Sequence, residues 1–184
     1  GNTHFIFSEN IEEGHIKDNS DSDITGNGLD NIFYVGSGNN IIRGGLGDDT
    51  FYSLGNTGEF ESDTNQLIGG DGNDTYYVSE DKYSDRVVEN AGEGNDTVIS
   101  EQISLSLYDY ENIENIQISG SKNLNLTGNN NSNNLIGNDG NNTINGGGGD
   151  DIINGGAGND VLLGGKGNDT YYIDSENDIA LENT

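Results

Sequence analysis

GNNNSNNLI (Gly128–Ile136), GNDGNNTIN (Gly137–Asn145), GGGGDDIIN (Gly146–Asn154), GGAGNDVLL (Gly155–Leu163) and GGKGNDTYY (Gly164–Tyr172) follow one another without a gap, a repeat of nine residues. In each unit a Gly/Asn/Asp-rich half precedes a short half whose eighth position is apolar or aromatic: Leu135, Ile144, Ile153, Leu162, Tyr171. The sixth position carries a side-chain oxygen every time, as Asn133, Asn142, Asp151, Asp160 and Asp169. The pattern is GGxGxDxUx with U apolar, and its fixed register separates it from a solvated low-complexity linker.

Each half has a physical role. Glycines at the second and fourth positions (Gly147, Gly149, Gly156, Gly158, Gly165 and Gly167) allow positive φ, so the chain turns tightly with carbonyls aimed at a cation. The last three residues predict a strand with one side chain facing inward and its neighbours outward. A single unit buries almost nothing. Two units make one flattened coil, and stacking coils at ~4.8 Å lets each apolar residue cover the next. Turns on the same side are then 18 residues apart, placing Asp151 by Asp169 and Asn142 by Asp160. A cation is expected between each pair, and hard oxygen ligands of this kind suit Ca²⁺. The expected fold class is therefore all-β, a parallel β-roll or β-helix solenoid.

An ion is required on energetic grounds. Two carboxylates ~5 Å apart repel by ~3 kcal/mol at an effective dielectric of ~20, and a stack repeats that cost. Only 29% of residues are hydrophobic, with no Trp or Met, and Gly-rich chain loses much conformational entropy on folding. Calcium binding is expected to supply much of the folding free energy, leaving the calcium-free chain largely disordered. Asp plus Glu total 33 against six Lys plus Arg, a formal charge of −27. That charge opposes nucleic acid and anionic membranes as partners and favours cations. The chain has no Cys and no Pro, which excludes disulfides, thiolate zinc sites, a thiol nucleophile and proline isomerisation. No apolar run approaches the ~20 residues of a membrane span, so membrane insertion is not expected. GNTHFIFSEN, at residues 1–10, lacks the pattern of a cleaved signal.

Working outward from the array, residues 1–24 are expected to be an N-terminal cap or a preceding coil. Residues 25–99 read as a first block of repeats. TGNGLDNIF from Thr25, an extra Tyr34, VGSGNNIIR and GGLGDDTFY place Asp30, Asn40 and Asp49 at position six, with a one-residue bulge at Tyr34. Gly26, Gly28, Gly45 and Gly47 are the corresponding turn glycines. An enlarged turn is expected near 59–65, with Leu67 as the next inward residue. GGDGND and AGEGND follow, so Asp74 and Asp96 share a side, with Gly70 and Gly72 in the first of these turns. Residues 100–126 alternate apolar and polar and predict calcium-free coils, with Ile103, Leu105, Ile113, Ile116, Ile118 and Leu124 inward. Residues 127–184 form the second repeat block. A longer repeat is superimposed: GGDGNDTYYVSEDKYSDRVVEN (Gly69–Asn90) returns as GGKGNDTYYIDSENDIALEN (Gly164–Asn183). Only the first copy runs on into AGEGNDTV, so the chain is expected to be a segment of a longer protein.

These units, together with the GGxGNDTYY…VEN…AGEGNDTV block and the following NIENIQISG and LTGN, resemble the repeats of bacterial RTX (hemolysin-type calcium-binding) proteins. The resemblance implies the C-terminal β-roll of such a protein, right-handed, with several Ca²⁺ ions held by position-six side chains and turn carbonyls. It also implies export by type I secretion and folding in extracellular calcium, outside the cell or at its surface. The departures are Asn40, Asn133 and Asn142 for the ligand Asp, and Thr25, Val35 and Ala91 for the first Gly, so sites relying on them are expected to be weaker or empty.

Three function classes follow. The first is a monomeric, calcium-binding structural module that supports a covalently attached toxin, adhesin or enzyme. The second is a calcium-dependent polysaccharide- or receptor-binding module, with outward Tyr52, Tyr77 and Tyr172 available to stack on sugars. Few basic residues oppose that reading for anionic glycans. Catalysis is not expected: His4 and His15 lie near one terminus without a partner motif, and no nucleophile or acid pair stands out.

Overall fold

In the computed structural model every regular element is a strand, and the residues described are 3–16, 21–53, 64–78 and 85–182. The chain divides into two compact units, Gly1–Thr97 and Val98–Thr184. Each is a parallel β-roll.

In the first unit one sheet runs through Thr3–Ile6, Ser22–Thr25, Ile41–Leu46, Asn65–Asp71 and Asp85–Val88, every neighbour parallel. The facing sheet runs through Glu13–His15, Ile32–Val35, Thr50–Ser53 and Thr75–Tyr77. Successive strands alternate between the sheets because each nonapeptide supplies one turn and one strand. Ile24, Ile42 and Leu67 are in register in one sheet, and Phe33, Phe51 and Tyr76 in the other. From Ile42 to Leu67 and from Phe51 to Tyr76 the step grows from 18 to 25 residues, so one insertion after Ser53 lengthens both sheets' spacing equally. Residues 59–63 of the expected enlarged turn lie outside the described residues.

The core of this unit is aromatic. Phe7, Phe33, Phe51 and Tyr76 stack in sequence with ring centroids 5.3, 5.2 and 4.9 Å apart. For Phe33, Phe51 and Tyr76 the spacing follows from strand separation, since one ring per strand at one register position must stack at nearly the interstrand distance. Phe7, from just beyond Thr3–Ile6 of the other sheet, fills the place left empty by Gly14, the residue in register with Phe33. Phe51, with rings on both sides and no exposure, is the central element. Phe51→Ala is expected to cost about 3–5 kcal/mol in a denaturant melt run in saturating calcium, and a loss below about 1 kcal/mol would refute a tight core there.

The second unit repeats the arrangement. Leu105–Ser106, Asn125–Thr127, Thr143–Gly148, Val161–Lys166 and Ile179–Leu181 form one sheet, and Asn115–Ile118, Asn134–Ile136, Ile152–Asn154 and Thr170–Tyr172 the other. Leu135 pairs with Ile153, and Ile144 with Leu162, each 18 residues on, and all four are fully buried. Between residues 100 and 126 the inward residues include Leu105, Ile113, Ile116 and Ile118, while Ile103 and Leu124 are only half-buried. Leu126 takes the core position expected of Leu124, because it is the residue in register with Leu105 and Ile144.

Candidate metal centre

Among the described residues three ladders run along the stacked turns, and in each a sixth-position backbone N–H reaches up to a carboxylate of the next turn on the same side. In the first unit Asn31 donates to Asp49 Oδ1 (2.7 Å), Asp49 to Asp74 Oδ1 (2.7 Å) and Asp74 to Asp96 Oδ1 (2.8 Å). In the second, Asn133 donates to Asp151 (2.8 Å) and Asp151 to Asp169 (2.9 Å) on one side. On the other, Asn142 donates to Asp160 (2.8 Å) and Asp160 to Asp178 (2.9 Å). One carboxylate oxygen therefore locks the stack.

The second oxygen is left over. Oδ2 of Asp49, Asp74, Asp151, Asp160 and Asp169 is buried with no hydrogen-bond partner. Each points at the first glycine of its own turn, where a Cβ would come within 1.9 Å at Gly44, 2.0 Å at Gly69, 2.3 Å at Gly146 and Gly155 and 2.2 Å at Gly164. A carbonyl from the turn above also faces that space, Gly69 O at Gly44 and Gly164 O at Gly146. An anionic oxygen buried without a donor costs several kcal/mol, so the cradle calls for a positive charge. Its lining of carboxylate and carbonyl oxygens fits Ca²⁺. Burial first, and neighbouring carboxylates with it, push Asp49 and Asp74 up to about 7 and Asp151 up to about 6, while Asp160 and Asp169 rise for the same reasons.

The turn glycines expected from the repeat to shape the site are those at positions two and four, but the glycine that faces the carboxylate cradle is the one at position one. Gly155→Ala places a methyl carbon against Asp160 Oδ2 and is expected to weaken calcium binding at that turn by about tenfold or more in calorimetry. Gly148→Ala, whose new carbon would meet nothing nearer than 3.6 Å, is expected to leave the titration unchanged. Equal effects of the two substitutions would exclude the cradle.

Three sequence assignments change. Asp30 is exposed and hydrogen-bonds the Asp48 N–H, a fifth-position contact, whereas Asn31 is fully buried in the ladder. The first repeat thus begins at Gly26 and reads GNGLDNIFY. Tyr34 is its ninth residue and there is no bulge, since Ile32–Val35 pairs evenly with Thr50–Ser53. The shift also explains the glycines. Gly45, Gly47, Gly70, Gly72, Gly147, Gly149, Gly156, Gly158, Gly165 and Gly167 all have positive φ, while Gly26 and Gly28 do not, because they occupy positions one and three.

The position-six asparagines differ from the aspartates. Asn133 Oδ1 accepts from Asn129 N (2.9 Å), and Asn142 Oδ1 from Asn138 N (3.0 Å), as Asn31 does from Asn27 N (3.0 Å). Asn40 goes further: its amide donates to the carbonyls of Gly36, Ser37 and Gly38 at 3.2, 3.2 and 3.1 Å. Its Oδ1 accepts from Ser22 N. The amide fills the ring of turn carbonyls with its own positive hydrogens, so a neutral side chain satisfies a turn that an aspartate would leave negative. Sequence also missed Asn65, Asp85 and Asp178. Asn65 takes the amide N–H of Asn40 and donates to Asp85 (2.9 Å), and Asp178 closes the Asn142–Asp160 ladder. None sits in a GGxGxD turn, so the motif carried no signal for them.

A parallel β-roll whose stacked turns present buried, unpartnered carboxylate oxygens is a calcium-binding solenoid. Comparison with known families agrees: the RTX calcium-binding nonapeptide repeat matches residues 25–56, 61–81, 127–162 and 148–180, more than half of the chain. The chain belongs to that family, which binds Ca²⁺ at multiple sites. No curated protein matches it significantly. No catalytic family is indicated, and among the described residues no helix is long and apolar enough to cross a membrane.

Proposed function

We propose that the chain is a structural module of a secreted protein that folds on calcium outside the cell and supports a covalently attached toxin, adhesin or enzyme. The observation that carries this is the set of buried Oδ2 atoms without partners at Asp49, Asp74, Asp151, Asp160 and Asp169. These five aspartates, with turn carbonyls, are ligands in the stacked turns; the self-satisfied Asn40, Asn133 and Asn142 turns hold no ion of their own. Residues 3–16 contribute strands paired with the first repeats, so the region 1–24 is read as a coil of the roll. Family members are generally secreted, and a chain that cannot fold in low calcium stays unfolded until it is exported.

The sugar-binding reading has less support. Tyr52 and Tyr77 lie face to face at 4.4 Å, and Tyr34 covers the other face of Tyr52 at 5.0 Å, so these ring faces are spent on each other. Limited proteolysis tests the proposal. The chain is expected to be cut rapidly at about 1 µM calcium and to resist at about 1 mM. Resistance at both concentrations would remove the link between compartment and folding.

A further inference from the structure

Glu89 is a buried acid that the nonapeptide pattern does not account for. It follows the strand Asp85–Val88, is 6% exposed, and lies beyond the family match that ends at residue 81. With Asp74 and Asp96 it brings three carboxylate oxygens within 4.8 Å of one another, all three residues buried. Asp74 contributes an oxygen with no partner, since its Oδ1 accepts the Asp49 N–H and its Oδ2 accepts nothing. Asp74 and Glu89 converge with Tyr76 on the space above Gly69, where a Cβ would lie 2.0 Å from Asp74 Oδ2, 2.3 Å from Glu89 Oε1 and 2.3 Å from the Tyr76 hydroxyl. Tyr76 donates its hydroxyl hydrogen to Glu89. At the eighth position Phe33, Phe51, Leu135, Ile144, Ile153 and Leu162 only fill the core, so the Tyr76 hydroxyl is an addition that aims the Glu89 carboxylate.

The constellation occurs twice. In the second unit Tyr171 donates to Glu182, and a Cβ on Gly164 would lie 2.1 Å from the Tyr171 hydroxyl, 2.2 Å from Asp169 Oδ2 and 2.5 Å from Glu182 Oε2. Gly69, Asp74, Tyr76 and Glu89 thus correspond to Gly164, Asp169, Tyr171 and Glu182, with the Tyr-to-Glu interval shortened from 13 to 11 residues. Two copies that reach the same geometry across different intervals indicate a built feature. The second copy is more exposed and has two carboxylates.

We propose that Glu89 is a third carboxylate ligand that, aimed by Tyr76, makes the Asp74–Asp96 turn pair the tightest calcium site of the chain. The proposal rests on the calcium reading above and deepens it. A turn pair in the array offers two carboxylates, as Asp151 and Asp169 do; a third adds negative charge and one more oxygen, and calcium affinity rises with ligand charge. Tyr76 is a positioning residue.

Terbium(III), which accepts calcium's oxygen ligands and emits when a nearby phenol transfers energy to it, tests the site in the full chain, alongside calcium calorimetry. Wild type is expected to show a tightest emissive phase that calcium displaces. Glu89→Gln, which keeps the side-chain volume and an acceptor for Tyr76, is expected to weaken that phase by about tenfold or more while the remaining calcium sites titrate as before. Tyr76→Phe is expected to remove most of the emission of the same phase, locating it. Circular dichroism in saturating calcium confirms that both variants fold. If wild type binds several ions and Glu89→Gln binds them with the same number and affinities, the Glu89 assignment alone is overturned. A tightest phase whose emission survives Tyr76→Phe overturns it equally. If wild type binds no calcium, the calcium reading and this site fall together.

Discussion

Stripped of calcium by a chelator, the chain is expected to lose its β signal in far-UV circular dichroism and to recover it cooperatively at ~0.1 to 1 mM calcium, with no recovery in magnesium. The size of the effect follows from the ladders. Their Oδ1 atoms hold consecutive turns together, so the negative charge cannot be moved away without breaking the stack. The buried Oδ2 atoms then face a cradle with no donor. Without an ion each of these aspartate turns carries an unmatched charge, and a thin core of one or two apolar residues per strand has little burial to offset it. Magnesium demands near-ideal octahedral geometry and gives up water reluctantly, which an oxygen cradle fixed by backbone does not accommodate. A chelated chain with an unchanged β spectrum would refute calcium-dependent folding.

The second large effect is a reversal of the usual response to acid. Burial first, and neighbouring carboxylates with it, raise Asp49 and Asp74 to about 7 and Asp151 to about 6, against an ordinary value near 4 in the unfolded chain. Glu89 rises to about 8, again chiefly through burial. In the calcium-free state the folded chain therefore binds more protons than the unfolded one between about pH 4 and 7, and stability falls as pH rises through that window. Lowering the pH from about 7.5 to about 5 in chelator is expected to restore part of the β signal. In calcium the sign inverts, because the ion requires the carboxylates ionised and protons compete with it. Between the two pH values the β signal in chelator and the melting temperature in calcium should move in opposite directions. A shift of the same sign in both conditions would rule out ionised, buried carboxylates as the calcium ligands.

The five uninterrupted units from Gly128 to Tyr172 determined by themselves the parallel roll, the inward Leu135, Ile144, Ile153 and Leu162, and the choice of a hard cation, because a strict period of nine leaves one stacking solution. Where the pattern is interrupted the register read from sequence is wrong: a start at Thr25 needs a bulge at Tyr34, whereas the even pairing with Thr50–Ser53 sets the start at Gly26 and puts Asn31, not Asp30, in the ladder. The division between aspartate and asparagine turns was also set by the fold. Whether an oxygen is left without a donor depends on the backbone packed around it, and at Asn40 three turn carbonyls take the amide instead. Glu89, Asp178 and the first-position glycines follow the same logic. Their partners come from other turns or later strands, so only the stacked structure brings Glu89 to Asp74, Asp178 to Asp160 and the face of Gly155 to the Asp160 carboxylate.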